Sequence, residues 1–574
     1  MNCFDKALYC LLSSVFLLAQ PVHAQHHQQA DSKQVWEPDL GNGRYRNPII
    51  HADYSDPDVI RVGKHYYMTA SSFNSAPGLP LLQSEDMIHW RIVGHASPHL
   101  IPAENFRTPQ HGKGVWAPSL RFHDGKFWIF YPDPDFGIYV MTAKEFTGPW
   151  STPHLLVAGK GLIDPTPLWD DDGKAWLLHA WAKSRAGFNN QLTLRAMDPD
   201  ASKLLDDKGT LVVDGDQLPG YKTLEGPKLY KRNAWYYIFA PAGGVEFGWQ
   251  SVFRAKNILG PYEEKIVLAQ GDSKTNGPHQ GAWVTAEDGR DWFYHFQDKR
   301  AYGRIVHLQP MQWQDDWPVM GKRHPTTGIG EPVDTWEKPV LESPLINLAN
   351  PPSSDDFSSP TLGLQWQWNA NWNSDWYSLT ANKNHLRLYP QALAASTSAS
   401  SSLIDYPAIL LQKLPAPAFE ASVKLKLNSN INGDRAGLVL YGLHYAWIGL
   451  ERHQDHYSLQ YRTCSSANLN QRCQEKLVQT KIAEQAEIHL KIALNSAGVA
   501  QFYYSEQGEQ FTVFGTEFNA TPGRWVGAKI GLFHIGTRDV ASSTVVSNKN
   551  KEQAKSTNRF ADFADFRVSP RTNY

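Results

Sequence analysis

From Asn47 onward the chain keeps restarting one pattern: a proline opens an apolar stretch, a turn with Gly or Asn follows, and an aromatic-rich run comes next. Five copies align on that rule. They read DPDVIRVGKHYYMTASS from Asp56, APSLRFHDGKFWIFY from Ala117, DPTPLWDDDGKAWLLHAW from Asp164, GPKLYKRNAWYYIFAP from Gly226 and GPHQGAWVTAEDGRDWFYHF from Gly277. Their prolines stand at 57, 118, 165, 227 and 278. Short apolar runs paired across a glycine turn predict β-hairpins, since such turns need positive φ. Further strand-like signals follow in SEDMIHW, AKEFTGPW and AKNILGPY. A unit of roughly 50 residues with four strands is the size of a propeller blade. The predicted fold is therefore all-β, with a five-bladed β-propeller over residues 45–345.

At residues 346–354 the repeats end in a Pro/Ser-rich joint, LANPPSS, and the pattern changes. FEASVKLKL from Phe419, AGLVLYGLHYAWIGLER from Ala436 and HYSLQYR from His456 alternate with period 2, which predicts a β-sandwich over residues 355–574. The polar stretch from Ala541 to Arg559 is expected to form a mobile loop before the last strand, FADFADFRV. At the other end, the apolar run ALYCLLSSVFLLA after Lys6, followed by Pro21-Val22-His23-Ala24, has the form of a cleaved export signal over 1–24 and is too short to span a bilayer. Residues 25–44 read as a polar leader. The expected location is periplasmic or extracellular, with no membrane span after cleavage.

Composition narrows the function classes. With 574 residues and a formal net charge of -2, the chain is too long for one ordinary core and offers no field that would gather phosphates, so nucleic acid is not an expected partner. Its 41% hydrophobic content excludes a disordered chain. Of four cysteines, Cys3 and Cys10 leave with the signal. Cys464 and Cys473, in YRTCSSANLNQRC, could close a hairpin loop by a disulfide in an oxidising compartment, and two buried free thiols are the alternative. No dinucleotide or phosphate-loop motif and no zinc-ligand spacing is present, so no cofactor is required by the sequence.

Equivalent positions of propeller blades converge on one axis. Just before the repeat prolines stand Asp56, Ala117, Asp164, Glu225 (before Gly226) and Gly277, so three of five copies carry an acid. Like charges around one axis repel and lose hydration, and a fold has little structural reason to collect them. Chemistry supplies one. Breaking a glycosidic bond needs a carboxylic acid to protonate the leaving oxygen and a carboxylate to activate water or attack the sugar, while a third carboxylate raises the pKa of the acid.

At these residues the sequence resembles glycoside hydrolase family 43, the inverting five-bladed β-xylosidases and α-L-arabinofuranosidases. The resemblance runs through NPIIHADYSDPDVIRVGKHYYMTASSF, PGLPLLQSEDMIHW, VWAPSLRFHDGKFWIFY, IDPTPLWDDDGKAW and LEGPKLY. Beyond Ser354 the chain resembles the concanavalin-A-like, jelly-roll β-sandwich appended to many members. The resemblance implies Asp56 as general base, Glu225 as general acid and Asp164 as the carboxylate that orients the acid and raises its pKa. Asp53 and Asp58 compete with Asp56 by proximity, and Asp53 reads as a turn or supporting group. The same resemblance implies sugar-binding roles for Phe73, Trp116, His279 and Arg304, with Arg300 a surface charge. It also admits a structural calcium or sodium at the propeller centre or near Asp355, Asp356 and Asp562, with no metal site assigned. Where many relatives carry a bulky aromatic pair, this chain has Asn74-Ser75-Ala76.

The expected activity is exo-acting removal of terminal β-D-xylose or α-L-arabinofuranose from hemicellulose, namely xylan, arabinoxylan or xyloglucan oligosaccharides, with inversion. The alternatives are a non-catalytic carbohydrate-binding propeller and a propeller glycosidase acting on another sugar such as galactan. A sialidase-like propeller is a weaker rival, because no SxDxGxxW box recurs.

Overall fold

Strands that are buried on both faces explain the continuous apolar runs of the repeats. In Lys126–Asp133 the side chains of Phe127, Ile129 and Tyr131 enter one hydrophobic cluster, and Trp128 and Phe130 enter the next. Tyr237 and Phe239 likewise part from Ile238 and Ala240 in Trp235–Ala242. Alternation on a pleated strand thus glues each blade to both of its neighbours. The computed structural model describes residues 34–341, 348–392, 402–466, 473–536 and 559–571. The export signal and most of the loop from Ala541 lie outside these residues.

Five antiparallel sheets follow one another. They begin with the inner strands Asp58–Val62, Ser119–His123, Leu162–Trp169, Lys228–Arg232 and His279–Thr285, each pairing with the strand after it. The inner hairpins turn at Gly63, Gly125, Gly173, Asn233 and Gly289, all at positive φ. Five clusters fill the five seams. The seam between the first and last blades is closed by Val59, Tyr66 and Met68 against Ala282, Trp292, Tyr294 and Leu308. The segment before the first repeat completes this closure, as Ile50 bridges Val306 and Arg44–Arg46 pairs with Thr335–Glu337. After the fifth blade the chain returns to extend the fourth by Gly330–Glu331 and Lys322–Arg323.

Residues 34–44, read from sequence as polar leader, are built into the fold. Trp36 donates its indole N–H to Pro48 O at 2.9 Å, and Glu37 meets the His89 ring at 3.0 Å. Asn350, in the expected joint, donates to Trp36 O at 3.2 Å, so this stretch clasps the chain's N-terminal segment.

The C-terminal half forms two facing sheets. One runs in space through Gln367–Trp368, Ile409–Lys413, Lys529–Gly536, Arg435–Tyr441, Tyr445–Arg452, Tyr457–Ser465 and Gln474–Ala483. Its partner runs through Tyr377–Ser378, Leu386–Leu388, Phe560–Pro570, Phe419–Asn428, Glu487–Leu494, Val499–Ser505 and Thr512–Val513. Phe419–Asn428 alternates buried and half-exposed residues with period 2. Cys464 and Cys473 are joined by a disulfide.

The core of the sandwich also holds Tyr302 and Ile305, both from the fifth blade. Tyr302 donates its hydroxyl to the carbonyls of Pro417 (2.7 Å) and Asn495 (2.9 Å). Ala76 and Trp368 exchange backbone hydrogen bonds, and Ala528 N–H donates to Ala301 O at 2.6 Å. At Gly303 and Gly527 the two halves touch backbone to backbone. A Cβ on Gly527 would lie 2.7 Å from Gly303 N, and one on Gly303 would lie 2.5 Å from the Asp53 carboxyl carbon. Among the described residues no helix is long and apolar enough to cross a membrane.

Candidate active site

Because every inner strand starts at the same end of the axis, the residues at the repeat prolines collect there. Asp56 and Asp164 are buried, and both have φ of 54°, a left-handed backbone that non-glycine residues seldom adopt. Phe73 shares this feature at 50°. Strain of this kind persists where surrounding structure over-determines it, and functional sites are its usual location.

The Oδ2 atom of Asp56 accepts hydroxyl hydrogen bonds from Ser55 (2.7 Å) and Ser71 (2.5 Å). Arg304 donates Nη1 to Ser55 Oγ at 2.8 Å and lies 3.3 Å from Asp56 Oδ1. The guanidinium rests 4.9 Å from the Phe296 ring centroid. One arginine thus both orients and electrostatically supports the first carboxylate.

Asp164 sits in a strand irregularity between Ile163 and Thr166. Its Oδ2 accepts the Gly226 N–H at 2.8 Å, which ties it to the peptide directly after Glu225. Gly226 has φ of 60°, and a Cβ there would meet the Gln280 side chain at 2.7 Å, so no larger residue fits. Burial raises the pKa of Asp164, and the Asp56 charge adds to the shift. Glu225 is raised by the same order of causes: burial first, then Asp164, with Arg304 opposing. Its side chain keeps 26% of its surface exposed, so it reaches from a protein-lined wall into open space. A carboxyl held protonated above the usual range beside open space is suited to donate a proton.

His279 is buried, and its Nε2 lies 3.6 Å from Glu225 Oε1. Burial, then Arg304 and His295, push its pKa down to about 3, so the ring beside Glu225 is neutral. Neither of its ring nitrogens hydrogen-bonds to protein. Phe73 and Trp116 stand together with centroids 6.1 Å apart, and Trp116 is anchored by its indole N–H on Gly112 O at 3.1 Å. Arg300 has 89% of its side chain exposed.

The competing acids have other work. Asp58 accepts from Leu120 N–H (2.7 Å) and Arg121 (2.9 Å) and lies 3.3 Å from Lys228 Nζ, a buried ion cluster beneath the site. Asp53 accepts Arg304 N–H through Oδ1 and Gly527 N–H through Oδ2, both at 2.8 Å, linking the site arginine to the sandwich. Asn74-Ser75-Ala76 also turns toward the sandwich. Asn74 donates to Asn369 O at 2.9 Å, Lys529 donates to Ser75 Oγ at 2.6 Å, and Ala76 pairs with Trp368.

Calcium prefers six to eight oxygens. Asp562 is held bidentately by Arg387 at 2.7 Å, Asp355 accepts from Phe357 N–H and the Trp366 indole, and Asp356 accepts from Ser358. Each of these acids accepts from protein donors, and among the described residues Asp355, Asp356 and Asp562 do not form a cluster close enough to share one ion.

Sequence reasoning missed three contributors. Ser55 and Ser71 needed the fold to show which hydroxyls face Asp56. Trp525, from the sandwich, places its ring 6.2 Å from Trp116, a contact between residues about 400 positions apart with no local signal. Together the propeller end and the sandwich loop bring two carboxyls of raised pKa, the Asp56 carboxylate and a run of aromatic rings close to one another.

Comparison with known proteins accords with this geometry. The family model Glycosyl hydrolases family 43 matches residues 45–318, and the model for the beta xylosidase C-terminal Concanavalin A-like domain matches 354–546. A putative beta-xylosidase of Xylanibacter ruminicola is 38% identical over 494 residues, covering 86% of each chain. A non-reducing end alpha-L-arabinofuranosidase of Bacteroides ovatus is 29% identical, covering 76% of this chain and 81% of its own. Among solved structures, a bifunctional GH43-CE protein of Bacteroides eggerthii superposes with a TM-score of 0.76 at 27% identity, over 92% of this chain and 64% of that one.

Proposed function

This chain belongs to glycosyl hydrolases family 43 and is a glycosidase, and on that premise we propose that it releases a terminal β-D-xylose from hemicellulose oligosaccharides with inversion. The observation that carries the reading is the closeness of Asp56, Asp164 and Glu225, whose charges act on one another, with Asp164 hydrogen-bonded to the peptide that follows Glu225. Asp56 takes a proton from the attacking water, and Glu225 gives its proton to the leaving oxygen. Asp164 keeps Glu225 protonated by its proximity and holds the adjacent peptide in place. Arg304 and His279 hydrogen-bond sugar hydroxyls, and Phe73 and Trp116 pack on the CH faces of the ring. The acceptor and donor carboxyls of an inverting glycosidase stand far enough apart to admit the water, roughly 6.5–9.5 Å.

α-L-Arabinofuranose is the second candidate for the released sugar, supported by the name of the Bacteroides ovatus relative. The N-terminal apolar run and its cleavage pattern support export to the periplasm or the outside, where plant oligosaccharides would be met.

Product analysis of the purified protein on aryl β-D-xyloside, aryl α-L-arabinofuranoside, xylo-oligosaccharides, arabinoxylan and arabinosylated xyloglucan tests the assignment. Free xylose from chain ends, appearing first as the α-anomer by proton NMR, is expected. First release of the β-anomer would overturn inversion. Sugar binding without turnover of any of these substrates would identify a lectin-like propeller instead.

A further inference from the structure

Beside the three acids a cleft of about 1440 Å³ opens between the fourth and fifth blades and the sandwich. Its rim carries Phe247, 75% exposed, and Trp525, 41% exposed. Single apolar side chains on a surface are ordinary. Here the two stand on the lining of one cleft that reaches Arg304, and Trp525 touches Trp116.

The charge of this cleft differs from that of the whole chain. It is lined by the cations Lys274, Lys299, Arg300, Arg304 and Arg524, against only two carboxylates, Glu246 and Asp298, in a protein of formal net charge -2. Arg304 is committed to Asp56, and Arg300 stands 4.0 Å from Glu246. Among the described residues no carboxylate pairs with Lys274, Lys299 or Arg524. The Arg524 guanidinium lies 4.8 Å from the Trp525 ring centroid, and its aliphatic stem packs on Gly112, whose carbonyl anchors Trp116. Unpaired cations inside a concave wall, one of them over an aromatic face, focus their field on whatever enters. A guanidinium beside such a face can hold a carboxylate by two parallel hydrogen bonds while the ring supports a pyranose.

We infer that this cleft receives the leaving-group side of the substrate and is fitted to a carboxylate carried there, that is, to an oligosaccharide bearing a uronic acid substituent. The inference rests on the glycosidase reading above for the neighbouring pocket. It adds that the preferred substrate is acidic. A neutral chain would leave three cations facing the ligand without a partner, whereas a uronic acid pairs with them as it displaces water.

The experiment compares xylotriose with a xylo-oligosaccharide carrying glucuronic acid on the residue next to the terminal xylose. Both kcat/KM, and calorimetric binding to the Glu225→Gln protein, are measured at low and at high sodium chloride. In wild type the acidic substrate is expected to be favoured about tenfold at low salt, with the ratio falling toward one as screening rises. The same collapse of the ratio is expected in the triple variant Lys274→Gln/Lys299→Gln/Arg524→Gln, and a partial one in Lys299→Gln alone. An acidic-to-neutral ratio of one or less at low salt, or a ratio untouched by the substitutions, overturns the inference. Equal turnover of both substrates would refute the acidic preference and leave the pentosidase intact. Preferential binding of the acidic ligand without turnover of either would uphold the cleft and refute the pentosidase.

Discussion

Replacing Asp53 by Asn should damage catalysis from a position that never meets the sugar. The carboxylate accepts two backbone N–H groups at 2.8 Å, one from Arg304 and one from Gly527, and is buried. Hydrogen bonds to a charged acceptor contribute about 1.5–3 kcal/mol each, and Asn can accept only one of these two while turning its own N–H₂ toward the other. Asp53 is also the anion that steadies the half-buried Lys413 and the buried Lys529. Burial pulls the pKa of Lys529 down to about 7, and Asp53 opposes that fall. Together these losses amount to roughly 3–5 kcal/mol of stability and leave the backbone of Arg304 free to shift. A displacement of ~1 Å at a positioning group can cost about a hundredfold in rate, so kcat/KM on an aryl β-D-xyloside is expected to fall by 10- to 100-fold. The urea midpoint should fall with it. The assay is steady-state kinetics beside equilibrium unfolding of wild type, Asp53→Asn and Asp58→Asn. A kcat/KM within about twofold of wild type for Asp53→Asn, together with an unmoved midpoint, would refute the argument that this residue couples the halves.

Three further outcomes follow from the site. Glu225→Gln should lower kcat on xylo-oligosaccharides by about 10²–10⁴-fold, and by far less on an aryl xyloside whose leaving group needs no proton; equal losses on both would remove Glu225 as acid. The basic limb of the wild-type pH profile should lie above neutrality, because the raised pKa of Glu225 keeps it protonated there. Taking away a neighbouring negative charge lowers that pKa, so Asp164→Asn should move the limb toward acid, and an unmoved limb would contradict the electrostatic role of Asp164. Gly226→Ala forces a side chain onto Gln280 at φ of 60°, and should destabilise the protein by about 1–3 kcal/mol in urea unfolding while weakening activity; a neutral outcome would show that this turn relaxes freely.

Much of the fold was legible because each blade repeats one local rule. Pro57, Pro118, Pro227 and Pro278 stand directly before inner strands and Pro165 lies at the irregularity within Leu162–Trp169, and the shared position within the repeat carries Asp56, Asp164 and Glu225 to one end of the axis. The period-2 runs of the sandwich were readable for the same reason. What stayed hidden depends on contacts between distant residues. Asp53 and Gly527 are 474 positions apart, so nothing near Asp53 announces its partner. Asn74, Ser75 and Ala76, standing where many relatives carry a bulky aromatic pair, gave no sign that they meet Asn369, Lys529 and Trp368. The return of Gly330–Glu331 to the fourth blade and the use of residues 34–44 as structure were hidden likewise, since short polar segments carry little periodicity.

The strand Phe560–Pro570 occupies the middle of its sheet, between Leu386–Leu388 and Phe419–Asn428. A ribosome makes it after every other strand of that sheet. Until it is laid down, the sheet that backs the sandwich core has a gap at its centre, and the loop carrying Trp525 and Gly527 has no finished body behind it. The propeller by then already holds all three acids, while Gly527, the partner of Asp53, sits in that unsupported loop. Order of synthesis thus becomes a form of timing: the sandwich behind the site is closed only by this late strand, and a product stopped before Phe560 carries the three acids without that finished body.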